Sequence, residues 1–172
     1  METLFYISSV IAVIATFMVM VKKNVVHALL YLVVSLLAVA LVFFVLGAPF
    51  IAALEIIIYA GAIMVLFVFV VMMLNLGSKD AERESEWLTA ETWAGPVILA
   101  AVLLGEVIFI LLHRTGPPFS PEIVGSRQVG VALLGPYLLG VELSSILLLA
   151  GLAGAYHIGR HFEDEGRGGG RP

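Results

Sequence analysis

Three carboxylates stand inside long apolar runs of this chain: Glu55, Glu106 and Glu142. An acidic side chain at bilayer depth costs roughly 2.5–3.5 kcal/mol on insertion scales, so it faces protein or water, and moving protons is its default chemistry. The plainer alternative is a neutral or paired carboxyl that ties helices together. Both readings stand open for Glu55 and Glu142. For Glu106 the tie between helices is preferred; it lies seven residues before His113, on the same helical face.

Glu55 opens the run "EIIIYAGAIMVLFVFVVMML". At 100° per residue, Tyr59 lies about 40° from it, Ala62 and Leu66 about 20°, and Ala52 about 60°. One face thus carries a carboxyl, a phenol and small residues, and that face should meet protein. Gly61 points about 120° away, off this stripe. Two roles are open to it. Gly weakens a helix by about 1 kcal/mol against Ala, so it can favour an irregular turn such as a π-bulge. It can also let a neighbouring helix approach, and from sequence alone this packing role is the preferred one.

Other polar residues follow helical spacing. His27, Tyr31 and Ser35 recur every four residues, a stripe read as interhelical hydrogen bonding. In "GPYLLGVELSSILLLAGLAGAYHIGR", Gly140 with Ser144 and Ala150 with Gly154 are small-xxx-small pairs, which allow close helix packing. Ser145 is one turn from Glu142, and Pro136 suits the first turn of a helix. Cysteine is absent, which excludes thiol chemistry and cysteine-bound clusters in this chain. No phosphate-binding loop, dinucleotide glycine pattern or metal-ligating His pair occurs. No metal, cofactor or nucleic-acid partner is expected for the chain itself.

The elements that hold these residues are set by composition. Of 172 residues, 61% are hydrophobic and 13% charged, and the mean hydropathy is +1.09. Ordinary domains are about half apolar and a quarter charged, so the natural solvent is a bilayer. A span needs about 20 apolar residues, and five stretches qualify: 4–21, 25–46, 50–74, 94–112 and 131–158. Helices satisfy their backbone groups internally in lipid. The fold expected is an all-α integral membrane protein with five transmembrane helices, one domain over 1–160, and a flexible cytoplasmic tail over 161–172. The first stretch lacks a basic start and is read as a retained span, not a signal. Gly47-Ala48-Pro49 makes a tight hairpin of the second and third spans. Residues 78–93 form a charged loop closed by Trp87 and Trp93, and 115–130 a Gly/Pro-rich outer loop.

Lys and Arg set the orientation. Lys22, Lys23, Lys79, Arg83, Arg160, Arg167 and Arg171 fall on one side, Arg114 and Arg127 on the other. That asymmetry places the N-terminus outside and the C-terminus in the cytoplasm.

The runs "NVVHALLYLVVSLLAVALVFFVLGA", "ALEIIIYAGAIMVLFVFVVMMLNL" and "GPYLLGVELSSILLLAGLAGAYHIGR" resemble the J subunit family of bacterial proton-pumping NADH:quinone oxidoreductase, respiratory complex I. The mitochondrial counterpart is NADH dehydrogenase subunit 6. The resemblance covers Met1 to Arg160. Val25 departs from the proline expected after Asn24, and Glu106 is not part of the family pattern.

The resemblance implies a place in the membrane arm of a bacterial inner-membrane translocase. The partners implied are the quinone-binding subunit, neighbouring small and antiporter-like subunits, and lipid. It implies a carboxylate-and-water path linking quinone reduction to proton pumping, with Glu55, Tyr59 and Glu142 as path or coupling residues. It also implies a third-helix gate around Tyr59, Gly61 and Val65, where a π-bulge converts to regular helix. FMN, iron–sulfur clusters, NADH and quinone belong to other subunits. An equivalent small subunit of a membrane-bound hydrogenase or cation antiporter complex is the alternative.

Overall fold

The computed structural model describes residues 2–22, 25–73, 90–113 and 123–168, the side chains of 90–92, 113 and 160–168 excepted. The expected charged loop lies outside the described residues up to position 89, with Trp87. So do 114–122 of the outer loop, the end of the tail from 169, and Lys23, Lys79, Arg83, Arg114 and Arg171 of the charge pattern. All regular structure among the described residues is helical: α1 (Glu2–Val21), α2 (Val25–Val45), α3 (Pro49–Met73), α4 (Ala90–His113), α5 (Ser126–Leu133) and α6 (Leu138–Gly168). Five helices are long and apolar enough to cross a membrane, over Glu2–Val21, Val25–Val45, Pro49–Met73, Trp93–Leu112 and Leu138–Gly159. The chain divides into two compact units, Met1–Gly125 and Ser126–Pro172, each taken here by itself.

In the first unit α1 packs along α2. Leu4, Ser8, Ile11 and Ala15 repeat at helical spacing and are the buried positions of α1. Ala15 and Ala38 have no exposed surface; two methyl side chains at the seam let the backbones approach. Leu103 of α4 completes that cluster with Ile11, Tyr31 and Val34. Nearer the α1 start, Leu4, Val45 and Ile110 form a second apolar cluster.

The hairpin forms where Gly47-Ala48-Pro49 predicts it. Gly47 takes φ 85°, a left-handed conformation that costs a side-chain-bearing residue roughly 1–2 kcal/mol. The Ala48 N–H bonds the Phe43 carbonyl at 3.0 Å and the Gly47 N–H bonds that of Phe44 at 3.1 Å. This is a Schellman closure of α2. Pro49 then starts α3, where its missing N–H costs nothing. The turn is further tied by the Val124 N–H to the Gly47 carbonyl at 2.9 Å.

In the second unit the last span starts at Leu138, seven residues later than expected. Val131 belongs instead to the short helix α5, and 134–137 form a turn. A Cβ on Gly135 would lie 2.7 Å from the Val131 carbonyl oxygen, too close for any side chain. Pro136 follows and has no N–H to carry a helix on. The apolar run reads straight across this break because the break is made by backbone geometry, not by polarity. Pro136 stands two residues before α6, not in its first turn. At the other end, helical backbone runs on to Gly168, past position 161 where the tail was expected.

Candidate functional site

The centre of α3 is not a regular α-helix. Over Glu55–Ile63 it is π-helical, hydrogen bonds closing on the fifth residue back. At the exit, the Met64 N–H reaches the Tyr59 carbonyl as well as that of Gly61. At the entrance, the Glu55 N–H still bonds the carbonyls of Ala52 and Ile51. The wide segment thus includes Glu55, Tyr59 and Gly61. Val65 lies just beyond it, in the regular turn Met64–Met73.

Gly61 fits this segment through its own backbone. An added Cβ would lie 3.1 Å from the Ile56 carbonyl oxygen, five residues back, and would meet no neighbouring helix within 4 Å. The packing role preferred from sequence finds no neighbouring helix here; the surroundings of Gly61 match the backbone role.

The packing register of α3 depends on the same segment. Its buried residues are Ala52, Met64 and Val71. Met64 and Val71 cluster with Leu29 of α2. In a regular helix Ala52 and Met64 would point about 120° apart. An i→i+5 turn takes up one residue more than an i→i+4 turn. With one residue so absorbed, the separation falls to about 20°, and one face carries all three.

The polar edge points elsewhere. Glu55 is half-buried, Tyr59 is 51% exposed and Val65 65% exposed, with Ala62 and Leu66 also exposed. The face expected to meet protein therefore does not meet the other helices of its own unit.

Polar residues of α1, α2 and α4 are spent between helices. The Ser8 hydroxyl donates to Glu106 Oε2 at 2.7 Å, so the helix-tying role preferred for Glu106 has a partner. Thr16 Oγ1 and Ser35 Oγ share a bond of 2.8 Å, and Ser35 also donates to the Ala12 carbonyl at 3.3 Å. Tyr31 is buried, with Lys22 Nζ 5.8 Å from its ring centroid. Its hydroxyl lies where a Cβ on Gly95 would be. The His27 ring stands edge-on to Trp93 at 6.3 Å. Ser8, Thr16 and Gly95 were not singled out from sequence. Their signal was small and hydroxyl residues at i, i+4 spacing in α1, and a glycine one residue before Pro96.

By contrast, no side-chain hydrogen bond or ion pair ties the described residues of α3 to another helix. It rests on α2 through apolar contacts. In the second unit Glu142, Ser145 and Ala150 are exposed, and a Cβ on Gly140 or Gly154 would meet open space. The Ser144 hydroxyl bonds the Gly140 carbonyl of its own turn at 2.7 Å. Among the described residues no cluster of three His, Asp or Glu could hold a metal.

Residues 15–158 match the model of the family "NADH-ubiquinone/plastoquinone oxidoreductase chain 6". NADH-quinone oxidoreductase subunit J of Pseudomonas aeruginosa is 56% identical over 161 residues, covering 93% of this chain and 97% of the relative. Subunit J of Escherichia coli K12 is 54% identical over 160 residues, covering 93% and 87%. That of Buchnera aphidicola from Schizaphis graminum is 47% identical over 160 residues, covering 93% and 98%.

Proposed function

The chain belongs to the subunit J family of NADH-quinone oxidoreductases, and from that premise we propose that it couples quinone reduction to proton pumping in the membrane arm of complex I. It is a multi-pass protein of the bacterial inner membrane. α1–α4 and α6 form one membrane domain over 1–160, with the N-terminus outside and the C-terminus in the cytoplasm. Its neighbours are the quinone-binding subunit and the small and antiporter-like subunits. Flavin, iron–sulfur clusters, NADH and quinone are held by other subunits of the complex.

Glu55, Tyr59 and Glu142 border the carboxylate-and-water path, and α3 gates it. The observation that carries this reading is the π-helical segment at Gly61 in a helix with no polar tie to its neighbours. If α3 becomes regular, every residue after the segment turns by about 100°. Val65 swings with it, and an apolar side chain entering or leaving a hydrated gap breaks or joins a water wire. Against Leu29, Ile63 and Val70 replace Met64 and Val71. Apolar residues of similar volume face α2 in both registers, so the two states differ little in packing energy. Gly140 with Ser144, and Ala150 with Gly154, seat α6 against a partner helix.

The test uses the assembled complex with Glu55→Gln and Gly61→Val. NADH oxidation by an artificial acceptor is retained, while quinone-coupled proton pumping falls. Unchanged pumping in both variants sinks the gate. Loss of assembly alone favours a purely structural subunit.

A further inference from the structure

Glu106 takes no part in the third-helix reading, and its surroundings differ from those of Glu55. It is 6% exposed and sits in the seam between α1 and α4. Oε2 is bonded to the Ser8 hydroxyl at 2.7 Å, and Oε1 is buried without a partner. Ser8 is itself buried. Along α1, Ser8 stands between Leu4 and Ile11; along α4, Glu106 stands between Leu103 and Ile110. Leu4 and Ile110 belong to one apolar cluster, Ile11 and Leu103 to the other. The pair is a single polar layer between two apolar ones.

Among the described residues no cation bonds this layer. Among the described side chains, the titratable groups of the packed helices are Glu2 and Tyr6 on α1 with Lys22 after its end, and His27 and Tyr31 on α2. None of them bonds the Glu106 carboxyl. Lys22 is fourteen residues from Ser8, about 21 Å along the helix axis. A carboxylate here would be a buried charge with one hydroxyl donor and no counter-ion, which is strongly disfavoured. Water does not rescue it. A buried water needs two to four polar partners, and the layer offers one free oxygen beside a hydroxyl already engaged.

We propose that Glu106 and Ser8 form a buried proton site apart from the third-helix path, in which Glu106 keeps its proton as a neutral carboxylic acid in a seam closed to water. Ser8 donates to Oε2 as the carbonyl oxygen, or accepts from it as the acid hydroxyl, so the bond survives either proton placement. The proton held there is resident and does not travel. With Thr16–Ser35, the pair fixes α1 against α4 and α2, giving α3 a frame that stays still while it turns. The site itself does not depend on the gate being real, because its readout is spectroscopic and not a pumping rate.

The experiment is an infrared difference spectrum of the assembled complex in lipid vesicles, wild type minus E106Q. One carbonyl stretch of a protonated carboxylic acid is lost, with no loss of carboxylate bands. Brief exposure to D₂O leaves that stretch in place, and S8A moves it to higher frequency because its hydrogen bond is gone. Loss of carboxylate bands in E106Q overturns the neutral acid. An immediate D₂O shift overturns the closed seam. No movement in S8A overturns the pairing, and S8A decides alone if E106Q does not assemble, since it removes only a hydroxyl.

Discussion

A Cβ on residue 61 would stand 3.1 Å from the carbonyl oxygen of Ile56. The two residues are five apart, the spacing at which hydrogen bonds close in this segment. The wide turn therefore brings the Ile56 carbonyl up to the one position in Glu55–Ile63 that has no side chain.

This contact predicts a graded response at Gly61. In a regular helix Ala gains about 1 kcal/mol over Gly; in the wide segment the gain is opposed by crowding against Ile56. Gly61→Ala thus tilts α3 toward regular helix by up to about 1 kcal/mol, and Gly61→Val crowds the carbonyl further. Protons pumped per NADH, measured in proteoliposomes, fall modestly in the first variant and more in the second. NADH oxidation by an artificial acceptor does not change. An unaltered ratio in G61V means that the wide segment is not used in the cycle.

The register of α3 against α2 can be trapped. Leu29 clusters with Met64 and Val71 in the wide form. Removing one absorbed residue puts Ile63 and Val70 there instead. The chain has no cysteine, so introduced pairs are its only thiols. Leu29→Cys with Met64→Cys cross-links in the resting complex; Leu29→Cys with Ile63→Cys cross-links only during turnover. Equal yields for both pairs, at rest and in turnover, rule out a rotation of α3.

Much of this was legible in the chain. Four of five spans lie within a few residues of their expected ends, and the Gly47 hairpin follows from turn chemistry alone. The start of the last span was missed because Gly135 and Pro136 break the backbone inside an unbroken apolar run. The wide segment is invisible to a 100° period, since it changes the period itself. Glu55 and Tyr59 were legible as a polar edge, but which helix they face depends on whether the residues between them and Met64 form α or π turns. The Ser8 partner of Glu106 is 98 residues away, and no local spacing encodes such a pairing.

Gly95 and Tyr31 give a prediction about assembly. The Tyr31 hydroxyl occupies the space that a Cβ on residue 95 would take. Gly95→Ala must push the phenol or α4 aside, an overpacking that costs about 1–3 kcal/mol. The yield of assembled complex and its thermal midpoint both drop. Tyr31→Phe removes the nearest atom, so Gly95→Ala in a Tyr31→Phe background recovers part of the loss. No recovery means that Tyr31 is not the group displaced.

Ser35 joins two bonds where Thr16 joins one. Because Ser35 donates to the Ala12 carbonyl, its bond with Thr16 is the one in which Thr16 donates. Ser35→Ala removes both contacts between α1 and α2; Thr16→Val removes one and keeps the shape. Side-chain hydrogen bonds between membrane helices average about 0.6 kcal/mol. Ser35→Ala therefore costs on the order of 1 kcal/mol and Thr16→Val about half of that. The double variant is no worse than Ser35→Ala alone, because the shared bond can be lost only once. The thermal midpoint of the assembled complex measures all three. Additive losses in the double variant show that Thr16 holds α1 by some contact other than Ser35.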